Sequence, residues 1–341
     1  MRLGTKFEME SGQQRPFFEY PFGKQHFQVP LSELFTLPRS SDLRIEHLAH
    51  LEHAIQHLAE IRPYMDRYLE VHSASPQELV FVQLGLDPSK DYLLAPIPHP
   101  LTFRDFYAFE QHVKTARAKR GLEVPAAWYE LPVFYFSNPG SLVGHEHSVY
   151  APAGSQELDY ELELGLLIGK GGKDIPPTEQ AWEHVAGFTI INDLSARDLQ
   201  RKEMAVGLGP AKGKDFATAV GPYLVTLDEF QDRIDQDGRV DLEMLARVNG
   251  KELSRGNAKS MHFNWPQLIA QASRDAELYP GDLLGSGTVG SGCILELGPE
   301  HTGGWLKPGD VVELEIERLG ILRTPIIARP IRSANNANSR E

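Results

Sequence analysis

The chain has 341 residues, 41% of them hydrophobic and 24% charged, with 34 Lys and Arg against 47 Asp and Glu, for a formal net charge of −13. This length exceeds the usual single domain and predicts one large core domain plus a smaller one. The acidic balance, without a strong basic stripe, argues against a nucleic-acid partner, and no apolar run approaches the roughly 20 residues that cross a bilayer.

Met1 to Tyr20 is polar, mixed in charge and aromatic rather than basic and then apolar, so a soluble, non-secreted protein is expected. The single cysteine, Cys293, rules out an intrachain disulfide and a cysteine-based metal site, and it fits a reducing cytoplasm. Residues 1–95 mix turn-rich pieces with one amphipathic helix, Leu43 to Arg62; Pro96, Pro98 and Pro100 then mark a boundary between this smaller N-terminal domain and a domain over 96–332. His47, His50, His53 and His57 lie on that helix, mostly off its stripe of Leu48, Leu51, Ile55 and Leu58, and read as a solvated polar face rather than a ligand cluster.

Beyond the boundary a helix is expected over Phe106 to Lys119, then strands over Leu131 to Phe136, Asp159 to Ile168, Ala186 to Ile191 and Tyr223 to Val225. Asn249-Gly250 between two apolar segments predicts a two-residue hairpin. Two Pro-Gly-Asp turns, at Pro280 and Pro308, precede apolar runs that read as strand starts. Helices are few: Pro176 to Glu183, Ser195 to Met204 and Trp265 to Ser273. The pattern predicts an α+β fold whose antiparallel or mixed sheet curls into a barrel or roll, with 333–341 a frayed polar tail.

Chemistry enters at Asp159-Tyr160-Glu161-Leu162-Glu163-Leu164, where strand periodicity puts Glu161 and Glu163 on one face and Tyr160, Leu162, Leu164 and Leu166 on the other. If the strand is covered, two carboxylates with Cβ atoms roughly 7 Å apart require a compensating cation, and oxygen ligands suit Mg²⁺, Mn²⁺ or Ca²⁺. The alternative is an edge strand with a solvated acidic face. Asp193, at the end of the run Ala186 to Asn192, reads either as an N-cap for the following helix or as a third ligand, a set that would leave positions open for water and substrate.

Glu161-Leu162-Glu163, Asn192-Asp193-Leu194-Ser195-Ala196-Arg197-Asp198-Leu199-Gln200 and Leu208-Gly209-Pro210-Ala211-Lys212-Gly213-Lys214-Asp215-Phe216 closely resemble, in order and spacing, the core signature of the fumarylacetoacetate hydrolase family. The resemblance spans roughly Leu101 to Arg329. It implies a fourth metal carboxylate at Asp105, a substrate-contacting Tyr107 and a catalytic His112, with Arg120 on a substrate carboxylate, Tyr135 in the pocket, and Thr288 and Glu296 closing the site. Taken alone, His112 is an ordinary surface histidine, Asp105 an N-cap, and Lys214 and Arg197 solvated charges. Glu296, between Leu295 and Leu297, calls for a buried partner, which His112 can be.

The resemblance implies hydrolysis of a carbon–carbon bond in a β-diketo acid. The metal, Mg²⁺ before Mn²⁺ or Ca²⁺, would be held by Glu161, Glu163, Asp193 and Asp105; His112 would activate water and Glu296 orient it; Lys214, Arg197 and Gln200 would meet the developing charge. It also implies a homodimer and a small anionic substrate. Met204 stands where fumarylacetoacetase-like members carry a tyrosine, the loop from Thr288 to Glu296 is short, and the resemblance to that branch does not extend to its N-terminal domain over the first 95 residues. These departures leave fumarylacetoacetate, another acylpyruvate or an aromatic-degradation intermediate open as substrate. A decarboxylase, isomerase or hydratase on the same scaffold is the alternative reading.

Overall fold

The computed structural model describes residues 1–22, 25–37, 43–72, 82–83 and 91–330. The expected polar tail, 333–341, lies outside the described residues. Strands run in chain order as β1 (Arg2–Glu8), β2 (Gln13–Phe22), β3 (Gln25–Pro30), β4 (Val82–Gln83), β5 (Asp91–Leu93), β6 (Phe103–Phe106), β7 (Phe134–Phe136), β8 (Leu142–Val143) and β9 (Leu158–Asp159). They continue as β10 (Leu162–Ile168), β11 (Val185–Asn192), β12 (Ser195–Ala196), β13 (Thr218–Thr226), β14 (Glu243–Val248), β15 (Lys251–Asn257), β16 (Leu283–Gly285), β17 (Val311–Ile316) and β18 (Gly320–Pro325). The helices are α1 (Ile45–Leu48), α2 (Leu51–Gln56), α3 (Leu58–His72), α4 (Glu110–Ala118), α5 (Ala126–Glu130), α6 (Arg197–Val206), α7 (Trp265–Ser273), α8 (Ile294–Leu297) and α9 (Pro299–Thr302).

The fold is α+β, built on a large mixed sheet that stays open rather than closing into a barrel. Its order is β4-β3-β2-β1-β13-β11-β10-β16-β6-β7, with β5 beside β1 and β8 beside β13. Pairing is antiparallel except for β16 with β6 and β13 with β8. Strands from residues 1–95 therefore continue the sheet directly, through β1 on β13 at Arg2↔Val225. A second, four-stranded sheet, β15-β14-β17-β18, contacts β11 and β13 of the first.

Two apolar clusters explain the layering. One contains Tyr160, Leu162, Leu164 and Leu166 together with Met244, Leu314 and Trp265, so it fills the space between the two sheets. The other joins Leu167, Ile191, Val220 and Leu283 to Leu51, Ile61 and Met65 of the N-terminal helices. Alternation along β10 thus sends the even-numbered leucines to one core, while Glu163 and Leu167 share the opposite face. Because β10 is paired on both sides, by β11 and β16, the solvated edge-strand alternative for the acidic pair is excluded.

Local signals fare unevenly. Asn249 and Gly250, at φ 52° and 76°, make the expected hairpin turn between β14 and β15, where both central residues need positive φ. Helix α7 occupies its expected span because Asn264 and Gln267 form a reciprocal capping box and Pro266 sits in the first turn. The single helix expected over Leu43 to Arg62 is instead three pieces, broken where His50 is extended and His57 leaves helical geometry, and the third runs through Pro63 to His72. His47 and His57 stack in parallel at 3.6 Å, and together with Glu60 they offer ligand atoms within 4.8 Å of one another on a face that stays open to solvent.

Helix 106–119 also begins late, because Phe103–Phe106 is claimed by pairing with β16 and β7. The strand expected over Leu131 to Phe136 is confined to Phe134–Phe136, and Pro176 to Glu183 becomes a 3-10 helix over Glu179–His184. Leu164→Ala should cost about 3 kcal/mol, because it leaves a cavity at a fully buried position of the inter-sheet core; a lower denaturant midpoint with unchanged slope is the expected result.

Candidate active site

Each acidic side chain is placed by strand register. Asp105 on β6 lies beside Gly285 of β16, Gly285 pairs with Gly165 of β10, and Glu163 is two residues from Gly165 on the same face. Asp193 follows β11 directly. The three carboxylates Asp105, Glu163 and Asp193 offer oxygens that all lie within 4.8 Å of one another, and all three are buried. Asp105 is therefore a strand residue and not the N-cap of α4.

Gly285 makes this convergence possible. A Cβ there would lie 2.4 Å from Asp105 Oδ1 and 3.1 Å from Glu163 Oε2. These same two oxygens are buried without a hydrogen-bond partner. Burial, followed by the charge of neighbouring carboxylates, pushes both Asp105 and Glu163 well above the usual carboxylate range. Two unpartnered acceptors facing one another require a proton or a cation between them, and an all-oxygen set fits a hard divalent ion.

Glu161, expected with Glu163 as the first pair of ligands, accepts from two cations: Arg197 Nη2 donates to its Oε1 at 2.7 Å and Lys214 Nζ to its Oε2 at 2.5 Å. Burial alone would raise its pKa, but those two cations outweigh it and hold Glu161 well below the normal range. Lys214 also donates to Asp193, and Tyr135 donates to Asp193 at 2.6 Å and to Asp105 at 3.2 Å. Desolvation would lower the Lys214 pKa, yet Asp193 and Glu161 raise it above the ordinary value, so Lys214 stays charged. Neither Lys214 nor Arg197 is the solvated charge that sequence alone suggested; both are buried.

His112, on α4, is also buried, and its Nδ1 lies 2.5 Å from Glu296 Oε1 on α8. The other Glu296 oxygen accepts the Ser291 amide at 3.1 Å, which fixes the carboxylate behind the ring. Thr288 donates to Glu163 at 3.3 Å, and Gln200 accepts from Arg197 at 3.0 Å. Tyr107 packs edge-on against His112 at 5.2 Å; burial first, then Glu161, pushes its hydroxyl up to about 12, so it remains a donor at neutral pH.

A cavity of about 540 Å³ gathers this set. Asp105, Tyr107, His112, Arg120, Tyr135, Glu161, Glu163, Arg197, Gln200, Lys214 and Thr288 all line it, while Asp193 and Glu296 stand behind that lining. Arg120 is exposed at the rim.

With the geometry in place, the comparison with known proteins is decisive at the family level. Residues 102–327 match the family model for the fumarylacetoacetate (FAA) hydrolase C-terminal domain. The chain belongs to the fumarylacetoacetate hydrolase family. It is 38% identical over 198 residues to a human protein named oxaloacetate tautomerase FAHD2A, mitochondrial, with 58% of this chain and 59% of the relative covered. It is also 38% identical over 198 residues to the 2,4-didehydro-3-deoxy-L-rhamnonate hydrolase of a Sphingomonas strain, covering 57% and 65% respectively. The chain thus spans about three fifths of the length of these curated relatives.

Among solved structures, a fumarylacetoacetate hydrolase from Exiguobacterium antarcticum superposes with a TM-score of 0.66 at 26% identity, over 96% of this chain and 100% of that one. Relatives in the family are enzymes, hydrolases and tautomerases among them. No helix among the described residues is long and apolar enough to cross a membrane.

One site residue escaped the sequence reading. Asp159 is fully buried; its Oδ2 accepts Arg197 Nε at 2.8 Å and the Leu295 amide at 2.9 Å, and its Oδ1 accepts the Ile294 amide at 2.7 Å. A single carboxylate thereby ties the guanidinium that grips Glu161 to the first turn of the helix that carries Glu296. The signal was available, since Asp159 continues the i, i+2 series of Glu161 and Glu163.

Asp159→Asn should loosen both attachments, and hydrogen exchange at the Ile294 and Leu295 amides should quicken by roughly tenfold or more; unaltered protection would refute this role. Glu163→Gln and Gly285→Ala should each weaken Mn²⁺ binding by about tenfold or more in calorimetry, and an isotherm like that of the parent protein would refute the three-carboxylate assignment.

Proposed function

We propose that the chain is a divalent-metal-dependent hydrolase that cleaves a carbon–carbon bond in a β-diketo acid such as fumarylacetoacetate or a related acylpyruvate. The observation that carries this reading is the buried His112–Glu296 pair on the wall of the acidic cavity. A tautomerase needs proton transfer on carbon alone; a hydrolase must also activate water, and an imidazole backed by a carboxylate does that.

Asp105, Glu163 and Asp193 would hold the ion, Mg²⁺ before Mn²⁺ or Ca²⁺, with Glu161 alongside. When bound, the ion supplies Lewis-acid polarisation of the substrate's carbonyl oxygens. His112 takes the proton from water through the ring nitrogen not engaged by Glu296, and Glu296 stabilises the resulting imidazolium. The water oxygen adds to the distal carbonyl carbon, the carbon–carbon bond breaks, and the departing carbon's electron pair delocalises into the neighbouring carbonyl as an enolate. The proton on His112 then returns to that carbon.

Arg197 and Lys214 face the developing negative charge from the lining, and Gln200, whose oxygen is occupied by Arg197, keeps its amide N–H groups for the cavity. Arg120 and the protonated Tyr107 hold the substrate carboxylate, locally reversing the field of an acidic protein. A homodimer in the cytoplasm is part of the same proposal.

The second reading, a tautomerase, isomerase or decarboxylase acting through an enolate, draws on the 38% identity to an oxaloacetate tautomerase. His112→Ala separates the two. On the hydrolase reading it should lower turnover of an acylpyruvate by at least about 100-fold while Mn²⁺ affinity holds, with chelator abolishing and Mg²⁺ restoring the parent activity; cleavage that persists at the parent rate would sink the assignment.

A further inference from the structure

The proposed reaction uses only one end of the cavity, and the composition of the wall changes along its length. Helix α6 begins with Arg197 at the acidic centre, and Gln200, Arg201 and Met204 follow on the same lining face at steps of three, four and seven residues. Seven residues of helix carry that face about 10 Å away from the carboxylates. The segment leading into β7 contributes Leu131, Val133 and Phe134 to the same lining, and Pro210 adds further apolar surface.

These side chains are apolar yet unsatisfied. Leu131, Val133 and Met204 remain 37%, 39% and 38% exposed, and each lines the same open cavity as the catalytic set. On α4, His112 and Ala116 line the cavity one turn apart and Arg120 follows just past the helix end, its side chain forming no ion pair among the described residues. The cavity therefore has an acidic floor beside Arg197 and Lys214, the Arg120 guanidinium past the end of α4, and an apolar strip made by Met204 of α6 and the approach to β7. Its volume, about 540 Å³, lies in the range of roughly 300–1,000 Å³ that encloses drug-sized ligands and is generous for a four-carbon diacid.

The geometry points to a substrate with an uncharged acyl tail of about five carbons or more, or an aromatic ring, laid along Met204, Leu131 and Val133, with the 2-oxo acid head on the floor and its carboxylate toward Arg120. This inference rests on the acylpyruvate form of the proposed function, in which the head on the floor is a 2-oxo acid. A second carboxylate at the tail's end would lie against Met204, Leu131 and Val133, and Arg201, the cation beside them on α6, is already paired with Glu157 at 2.7 Å, so among the candidates of the proposed reading monocarboxylic acylpyruvates are favoured over fumarylacetoacetate.

Calorimetry on the full-length protein loaded with Mg²⁺ tests it, using straight-chain 2-oxo acids from pyruvate to 2-oxooctanoate. Affinity should rise roughly threefold to fourfold per added methylene, reaching on the order of 100-fold across the series, and Met204→Glu should flatten that dependence and weaken 2-oxooctanoate by at least about tenfold. Pyruvate and 2-oxooctanoate binding alike would overturn the tail alone. So would tighter binding of a chain-matched acid that ends in a second carboxylate. Failure of every 2-oxo acid to bind would overturn the reading of the floor, and the tail with it.

Discussion

Asp105, Glu163 and Asp193 repel one another, and they converge to within 4.8 Å only because three strand segments of one sheet, locked in register, leave them no other place. The surroundings answer that repulsion. Gly285 removes the side chain that would separate two of the acids, Tyr135 and Lys214 donate to Asp193, and Arg197 together with Lys214 neutralises Glu161. Even so, Asp105, Asp159, Glu161, Glu163 and Asp193 are buried beside only two buried cations, and two carboxylate oxygens are left without donors. Such a centre holds its geometry because the apolar clusters on the two faces of the sheet resist any relaxation that would move the acids apart.

The legible parts of the fold were those specified by adjacent residues. Asn249-Gly250 demands a particular turn, Asn264 to Gln267 caps a helix, and the alternation from Tyr160 to Leu166 states which face is core. What misled was competition between local propensity and pairing at a distance. Phe103 to Phe106 lies next to a helical pattern, yet two flanking strands offer it hydrogen bonds, and the sheet prevails. The helix expected to end at Arg62 continues instead to His72, with Pro63 in the second turn of α3.

The site followed the same division. The Glu161/Glu163 pair and Asp193 were legible from spacing, whereas His112, Asp105 and Arg120 were ordinary surface or capping residues until a family resemblance singled them out. Nothing near His112 in sequence reveals Glu296, which is 184 residues away. Asp159 was overlooked for a different reason: its role depends on Arg197 and on the backbone of Ile294 and Leu295, partners that only the folded chain supplies.

That partner set also bears on how one family can carry both hydrolases and tautomerases. Asp159 links Arg197, at the start of α6, to the amides that open α8, so the carboxylate-binding cation and the orienter of His112 share one anchor. The reacting end is thereby held by contacts between helix beginnings and strand ends. At the far end of α6 and on the approach to β7, Met204, Leu131 and Val133 face the cavity partly exposed and take no part in that anchor. Substitutions at Met204 or Leu131 can change what the cavity accepts without touching the anchor, whereas a change at Glu296 would alter what happens to water. On the proposed reading, substrate choice and reaction type thus vary independently, because different ends of the same helices govern them.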